Sequence, residues 1–281
     1  MGSESDAEFL GDTVISADGT RIAYATVGSG PGVIVVPGVL SVASGFARFA
    51  QALGQGFTVH LMERRGRGQS GPQGAGYSIA KDCEDLRALQ DKTGAAMIVG
   101  HSYGGLIALE SARGNPDITR LALYEPGVSI AGSVPSGWMP AYEKYLEQGK
   151  PFDAFVEFVR DMGPENMRKV PRWMFRRMMP LFMKAPEKEM VVGQLAENLR
   201  EHREIVRLND TYPNYREVTA AVLLMAGDKD VQQRTAPDHR RLAEVIPVCE
   251  LRTVPGLDHF GIDKGAPERV AGIVGEFFSH R

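Results

Sequence analysis

Short apolar runs bounded by turn residues alternate with segments of helical period along most of this chain. Thr13–Ser16 and Arg21–Thr26 flank Ala17-Asp18-Gly19-Thr20, whose Asp-Gly step predicts an opening hairpin. Val33–Val36, Thr58–Glu63, Ala96–Val99 and Leu121–Tyr124 then read as strands, separated by stretches long enough for helices. These runs lack polar alternation, which predicts strands covered on both faces and therefore a parallel sheet. From about Gly127 to about Arg216 the pattern changes: strand signals vanish, and helix-like segments are broken by Pro135, Pro151, Pro164, Pro171, Pro186 and Pro213. The alternation resumes with a strand at Ala221–Ala226, a helix at Ala236–Ile246, a strand at Cys249–Val254 and a helix after Pro267. The expected organisation is a core of residues 1–126 and 217–281 with a helical insertion at 127–216, without internal repeats.

Composition narrows the class. With 281 residues, 43% hydrophobic and 24% charged, the chain can bury a large core as an ordinary globular protein. A net charge of −3 gives no reason to expect nucleic acid or an anionic membrane surface as partner. The two cysteines, Cys83 and Cys249, stand outside any Cys-x-x-Cys pattern, and no ligand cluster appears, so neither metal nor cofactor is expected. The acidic stretch Met1–Asp12 lacks the apolar core of a signal peptide, and no run is long and apolar enough for a membrane span. A cytoplasmic location is expected.

The chemistry-bearing stretch is Gly100-His101-Ser102-Tyr103-Gly104-Gly105, between the apolar run Ala96–Val99 and the helical segment Leu106–Arg113. Strand, Gly-x-Ser-x-Gly, helix is the layout of a nucleophile elbow, in which glycines make room for a serine on a sharp, strained turn. A serine nucleophile needs a base, and the base needs an orienting acid. Of six histidines, His60 lies in a strand-like run, His101 adjoins the serine, His202 and His239 fall in charged or polar helices, and His280 is terminal. His259 remains, in the loop Pro255–Gly261 after a strand, where a positioned base belongs. For the acid, Gly227-Asp228-Lys229-Asp230 follows the strand Ala221–Ala226, at the edge where open α/β sheets place their sites. Asp230 is the expected acid; Asp228 is read as ordering the turn, and Asp258 as too close in sequence to reach the neighbouring ring.

The elbow and the order Ser102, Asp230, His259 resemble the serine α/β-hydrolases of the small lid-bearing kind, over nearly the whole chain. The resemblance implies a mostly parallel eight-stranded α/β-hydrolase sheet with helices on both faces and a helical lid at 127–216. Val33–Val39 resembles the strand and loop that carry the oxyanion hole, with Pro37-Gly38 where relatives often have His-Gly. By position the backbone amides of Val39 and Tyr103 would form it, each contributing roughly 3–4 kcal/mol to transition-state stabilisation. Glu63-Arg64-Arg65-Gly66-Arg67-Gly68-Gln69-Ser70 resembles a structural turn of the family, with Glu for Asp. Gly66, Gly68 and Gly71 also fit a dinucleotide fingerprint, but Pro72, Gly74 and Gly76 follow where that motif requires a helix. The insertion gathers Met and aromatic residues, among them Met162, Trp173, Met178 and Phe182, as candidate walls for an apolar substrate. The expected activity is hydrolysis of an ester or related acyl bond of a medium-sized apolar small molecule. The alternatives are a C–C hydrolase, acyltransferase, lyase or cyclase on the same scaffold, or a non-catalytic ligand receptor. A homodimer is left open.

Overall fold

Burial on both faces turns the apolar runs into one sheet. The computed structural model describes residues 11–163, 167, 169–182, 185–229 and 232–280. Strands β1 (Asp12–Ile15), β2 (Arg21–Val27), β3 (Gly32–Val36), β4 (Thr58–Met62), β5 (Met97–His101), β6 (Arg120–Tyr124), β7 (Ala221–Gly227) and β8 (Cys249–Val254) form it in the order β1-β2-β4-β3-β5-β6-β7-β8. The β1–β2 and β2–β4 pairs are antiparallel, and β4 through β8 run parallel. Helices α1 (Ala47–Leu53), α2 (Ile79–Thr93) and α3 (Tyr103–Ala112) fall in the first half of the chain. Between β6 and β7 come α4 (Met139–Glu147), α5 (Pro151–Met162), α6 (Arg172–Phe182), α7 (Ala185–Gly193) and α8 (Leu195–Arg207), and α9 (Gln232–Val245) and α10 (Pro267–Ser279) follow.

Side chains of β3 show how the layers form. Ile34 and Val36 point into a cluster with Leu86 and Leu89 of α2, Ile107 of α3 and Leu242 of α9. Val33 and Val35 point the other way, toward Phe49 and Leu53 of α1 and Val270, Val274 and Phe278 of α10. The period of two therefore loads both faces with apolar residues, as the unbroken runs predicted. The helices between β6 and β7 carry their own small core of Trp138, Tyr142, Ala154, Phe158, Val191, Leu195 and Leu199.

The turn after β4 anchors these helices to the sheet. Arg64 is fully buried; its guanidinium meets Asp82 of α2 at 3.3 Å and Glu201 of α8 at 2.9 Å, and donates to the Gly38 carbonyl at 3.2 Å. Arg67, also buried, reaches Glu201 at 2.9 Å, and Arg65 reaches Asp85 at 2.6 Å. The arginine-rich turn is thus an ion-paired turn, with the Arg64 guanidinium lying over the Tyr103 ring. Burial alone would lower the Arg64 pKa, but the facing carboxylates outweigh it, so the residue stays charged.

A buried pair is costly to break because the surviving charge has no water. Arg64→Met is expected to lower stability by about 3–5 kcal/mol. Arg48→Met, which loses an exposed pair with Glu268, should cost no more than about 1 kcal/mol. Thermal unfolding of the two variants side by side checks the contrast.

Candidate active site

Parallel strands deliver their C-terminal ends to one edge, and four of them build a cavity of about 800 Å³ there. Val39 and Leu40 follow β3, Ser102 follows β5, Glu125 follows β6, and His259 lies in the loop after β8; all five line the cavity. Three of them hold a left-handed backbone rare for residues with a Cβ: Leu40 at φ 49°, Ser102 at φ 53° and Glu125 at φ 45°. Such strain concentrates where side chains must be aimed.

The elbow forms because two glycines permit a close approach. A Cβ at Gly104 would lie 2.1 Å from the Val36 carbonyl, and one at Gly100 would lie 2.6 Å from Gly105 Cα. The Ser102 amide donates to the Tyr124 carbonyl at 3.1 Å, and the Ser102 carbonyl accepts from Gly105, Leu106 and Gly127. Among the described residues the amides of Val39 and Tyr103 donate no hydrogen bond to the backbone. The Tyr103 side chain is buried, its hydroxyl 2.8 Å from that of Tyr77.

His259 Nδ1 lies 2.8 Å from Glu125 Oε2. A carboxylate only accepts, so Nδ1 donates and Nε2 is left with its lone pair. Glu125 Oε1 accepts from the Gly227 amide at 2.8 Å. Burial pushes the Glu125 carboxyl up, but the His259 hydrogen bond and charge and the Gly227 amide outweigh it and hold the group below the ordinary glutamate value. The loop carrying His259 is fixed along its backbone. Tyr124 donates to the Asp258 carbonyl at 2.7 Å, Asp228 accepts from the Gly256 amide at 2.7 Å, and His101 Nε2 donates to the His259 carbonyl at 2.8 Å. A Cβ at Gly227 would lie 2.2 Å from the Leu257 carbonyl, so only glycine lets β7 approach this loop. Among the described residues no hydrogen bond joins Ser102 Oγ to the His259 ring; the two groups meet as walls of one cavity.

Asp230, the acid expected from the sequence, lies outside the described residues. Among the described residues the carboxylate found on His259 is that of Glu125, at the end of the neighbouring strand β6. The signal for it was available: Glu125-Pro126-Gly127 directly follows an apolar strand, at the same edge and between serine and histidine. Asp228, read from the sequence as ordering its own turn, accepts from the Gly256 amide and so ties β7's end to the loop after β8.

The cavity wall is apolar over Leu40, Phe46, Phe155, Phe158, Met179 and Ile205. Of the wall residues expected from the insertion, Met162 lines the cavity. Trp173 and Met178 instead face solvent, 69% and 44% exposed, and the wall position on α6 belongs to the buried Met179. Successive helix positions differ by about 100°, so one residue decides between wall and water. Phe182 closes α6, and its side chain lies outside the described residues. Sequence reasoning also set aside His202 and His239 as residues of charged and polar helices. Both are buried, at 1% and 4% exposure, and both line the cavity. Burial lowers the pKa of each, as it does strongly for His101.

Residues 33–273 match the model of the alpha/beta hydrolase family. The N-formylmaleamate deformylase of Pseudomonas putida is 30% identical over 188 residues, covering 63% of this chain and 69% of that protein. The 2-(acetamidomethylene)succinate hydrolase of Mesorhizobium japonicum is 25% identical over 257 residues, covering 86% of this chain and 85% of that protein. An alpha/beta hydrolase from Sphaerobacter thermophilus superposes with a TM-score of 0.80 at 30% identity, over 95% of this chain and all of the other.

Asp263, in the turn Gly261–Gly265, also lines the cavity, and among the described residues its buried Oδ1 has no hydrogen-bond partner. Burial raises its pKa from 3.8 to about 6. Between those two values the unfolded chain ionises while the folded protein holds its proton, so stability falls as pH rises through the window. Asp263→Asn removes this penalty. Its stability relative to the natural protein is expected to grow by on the order of 2 kcal/mol between pH 4 and pH 7. Denaturant melts of both proteins across that range check the sign.

Proposed function

The chain belongs to the alpha/beta hydrolase family and is an enzyme of the hydrolase class, and from that premise we propose a serine hydrolase that cleaves an ester or related acyl bond of a medium-sized, largely apolar small molecule. The observation that carries this reading is the His259–Glu125 pair at 2.8 Å, facing the same cavity as a serine held at φ 53°. His259 Nε2 takes the Ser102 proton as Oγ attacks the carbonyl, and Glu125 holds the ring in the required tautomer and stabilises its protonated form. The free amides of Val39 and Tyr103 receive the oxyanion. Protonated His259 then gives its proton to the leaving group, and water, activated by the same ring, releases the acyl group from Ser102. Hydrogen bonds between nucleophile and base tighten when substrate excludes water, so the Ser102–His259 contact belongs to the substrate complex.

The helical segment 127–216 acts as a lid. It supplies Phe155, Phe158, Met162 and Met179 to the wall above the strand ends, and methionine adapts to irregular apolar shapes. A cavity of about 800 Å³ suits an acyl compound of drug-like size. The relatives named for a formylmaleamate and an acetamidomethylene compound favour a second reading, an acyl bond to nitrogen in place of oxygen.

A fluorophosphonate probe is expected to label the natural protein and to leave Ser102→Ala unlabelled; a labelled Ser102→Ala protein refutes the nucleophile. Glu125→Gln, which keeps shape but loses the anion, should lower kcat by roughly 10³–10⁴-fold on p-nitrophenyl esters. Asp230→Asn is the contrast: if it, and not Glu125→Gln, carries the loss in steady-state kinetics, the acid stands after β7.

A further inference from the structure

A histidine packed among aromatic rings on the cavity wall needs an explanation. His202 is 1% exposed, and its ring packs between the edges of Trp138 and Phe158, each 5.1 Å away. A phenylalanine there would pack without the cost of burying polar nitrogens. Two neighbouring polar groups are matched internally: Trp138 Nε1 donates to the Pro135 carbonyl at 2.9 Å, and the Tyr142 hydroxyl donates to the Leu195 carbonyl at 2.9 Å. His202 Nδ1 lies 2.9 Å from the Asn198 carbonyl. A carbonyl only accepts, so Nδ1 carries the proton and the tautomer is set by the helix itself. Burial keeps the ring neutral. Nε2 is then a bare acceptor, and among the described residues nothing donates to it, while the residue lines the cavity.

We propose that His202 Nε2 is a specificity-determining acceptor which selects, among apolar acyl compounds, those carrying a hydroxyl or an amide N–H. The proposal rests on the hydrolase reading above and names its substrate class. A bare acceptor set between two aromatic rings stays unsatisfied with a purely hydrocarbon ligand and is satisfied by a donor at one position along the chain. A site built this way discriminates by the presence of the donor more strongly than by one methylene more or less.

The test is a panel of p-nitrophenyl octanoates bearing one hydroxyl, walked carbon by carbon, beside the plain octanoate. At least one position should exceed the plain ester about 10–100-fold in kcat/KM, and the ratio should fall to about one in His202→Phe. His202→Gln retains a carbonyl acceptor and should keep part of the preference. No preferred position, or a preference that survives in His202→Phe, overturns the proposal. Binding of the same panel to the Ser102→Ala protein, measured by calorimetry, reads the preference without turnover. Failure of fluorophosphonate labelling would sink the triad and leave this arm intact. Nitrogen NMR of the natural protein tests the tautomer without any substitution at 202: the proton is expected on Nδ1, and a proton on Nε2 would overturn the assignment.

Discussion

The arrangement at this sheet edge turns on one charge-assisted hydrogen bond, from His259 Nδ1 to Glu125 Oε2 at 2.8 Å. It decides which nitrogen of the ring is free and where the ring points. Everything around it serves to hold two loops from different strands at that separation. Glu125 reaches it because its own backbone sits at φ 45°, with its amide tied to the Met225 carbonyl at 2.9 Å and its second oxygen tied to the Gly227 amide. His259 reaches it because Tyr124, His101 and Asp228 grip the loop by its backbone. Each grip comes from a strand end or a turn beside one, so the geometry inherits the rigidity of the sheet.

The buried ions beneath the elbow do a different job. Arg64 and Arg67 have no access to water, and an apolar replacement of the whole network, arginines and carboxylates together, would cost little or nothing, whereas removing one partner alone is costly. What they give is definition. Arg64 touches the Gly38 carbonyl in the loop before Val39, the Tyr103 ring, and Glu201 on α8. A single guanidinium therefore couples the loop, the elbow and the helix whose next residue is His202. Geometric demands that strict explain why the pairs are satisfied by several partners at once.

Most of the fold was legible because burial on two faces writes itself into composition: unbroken β-branched runs can only be covered strands, and the strand bounds agree to within one or two residues. The serine was legible because the elbow needs glycine at fixed offsets, as Gly100 and Gly104 show by the contacts a Cβ would make. The histidine followed by elimination. Other features depend on three-dimensional facts with no sequence period. Glu125 and Asp228 stand at adjacent strand ends, and the alternation of strands and helices does not say which one faces the loop after β8. Likewise the choice between Met178 and Met179 is a question of helix phase, and Pro and Gly breaks in the insertion reset that phase repeatedly.

The cavity histidines show how the same side chain takes different roles according to its partner. His101 and His202 each spend one nitrogen on a backbone carbonyl, and burial keeps both neutral. A neutral ring tied to a carbonyl can brace a loop or accept a hydrogen bond, but burial disfavours a proton on its far nitrogen and no carboxylate accepts from its near one. His259 alone among these three spends its nitrogen on a carboxylate. A proton arriving at Nε2 is then balanced across the ring, which is the property that general base chemistry requires. The partner on the far nitrogen therefore separates a ring fitted for the proposed base chemistry from rings that only brace or accept, and that partner can be read only where the strand ends meet.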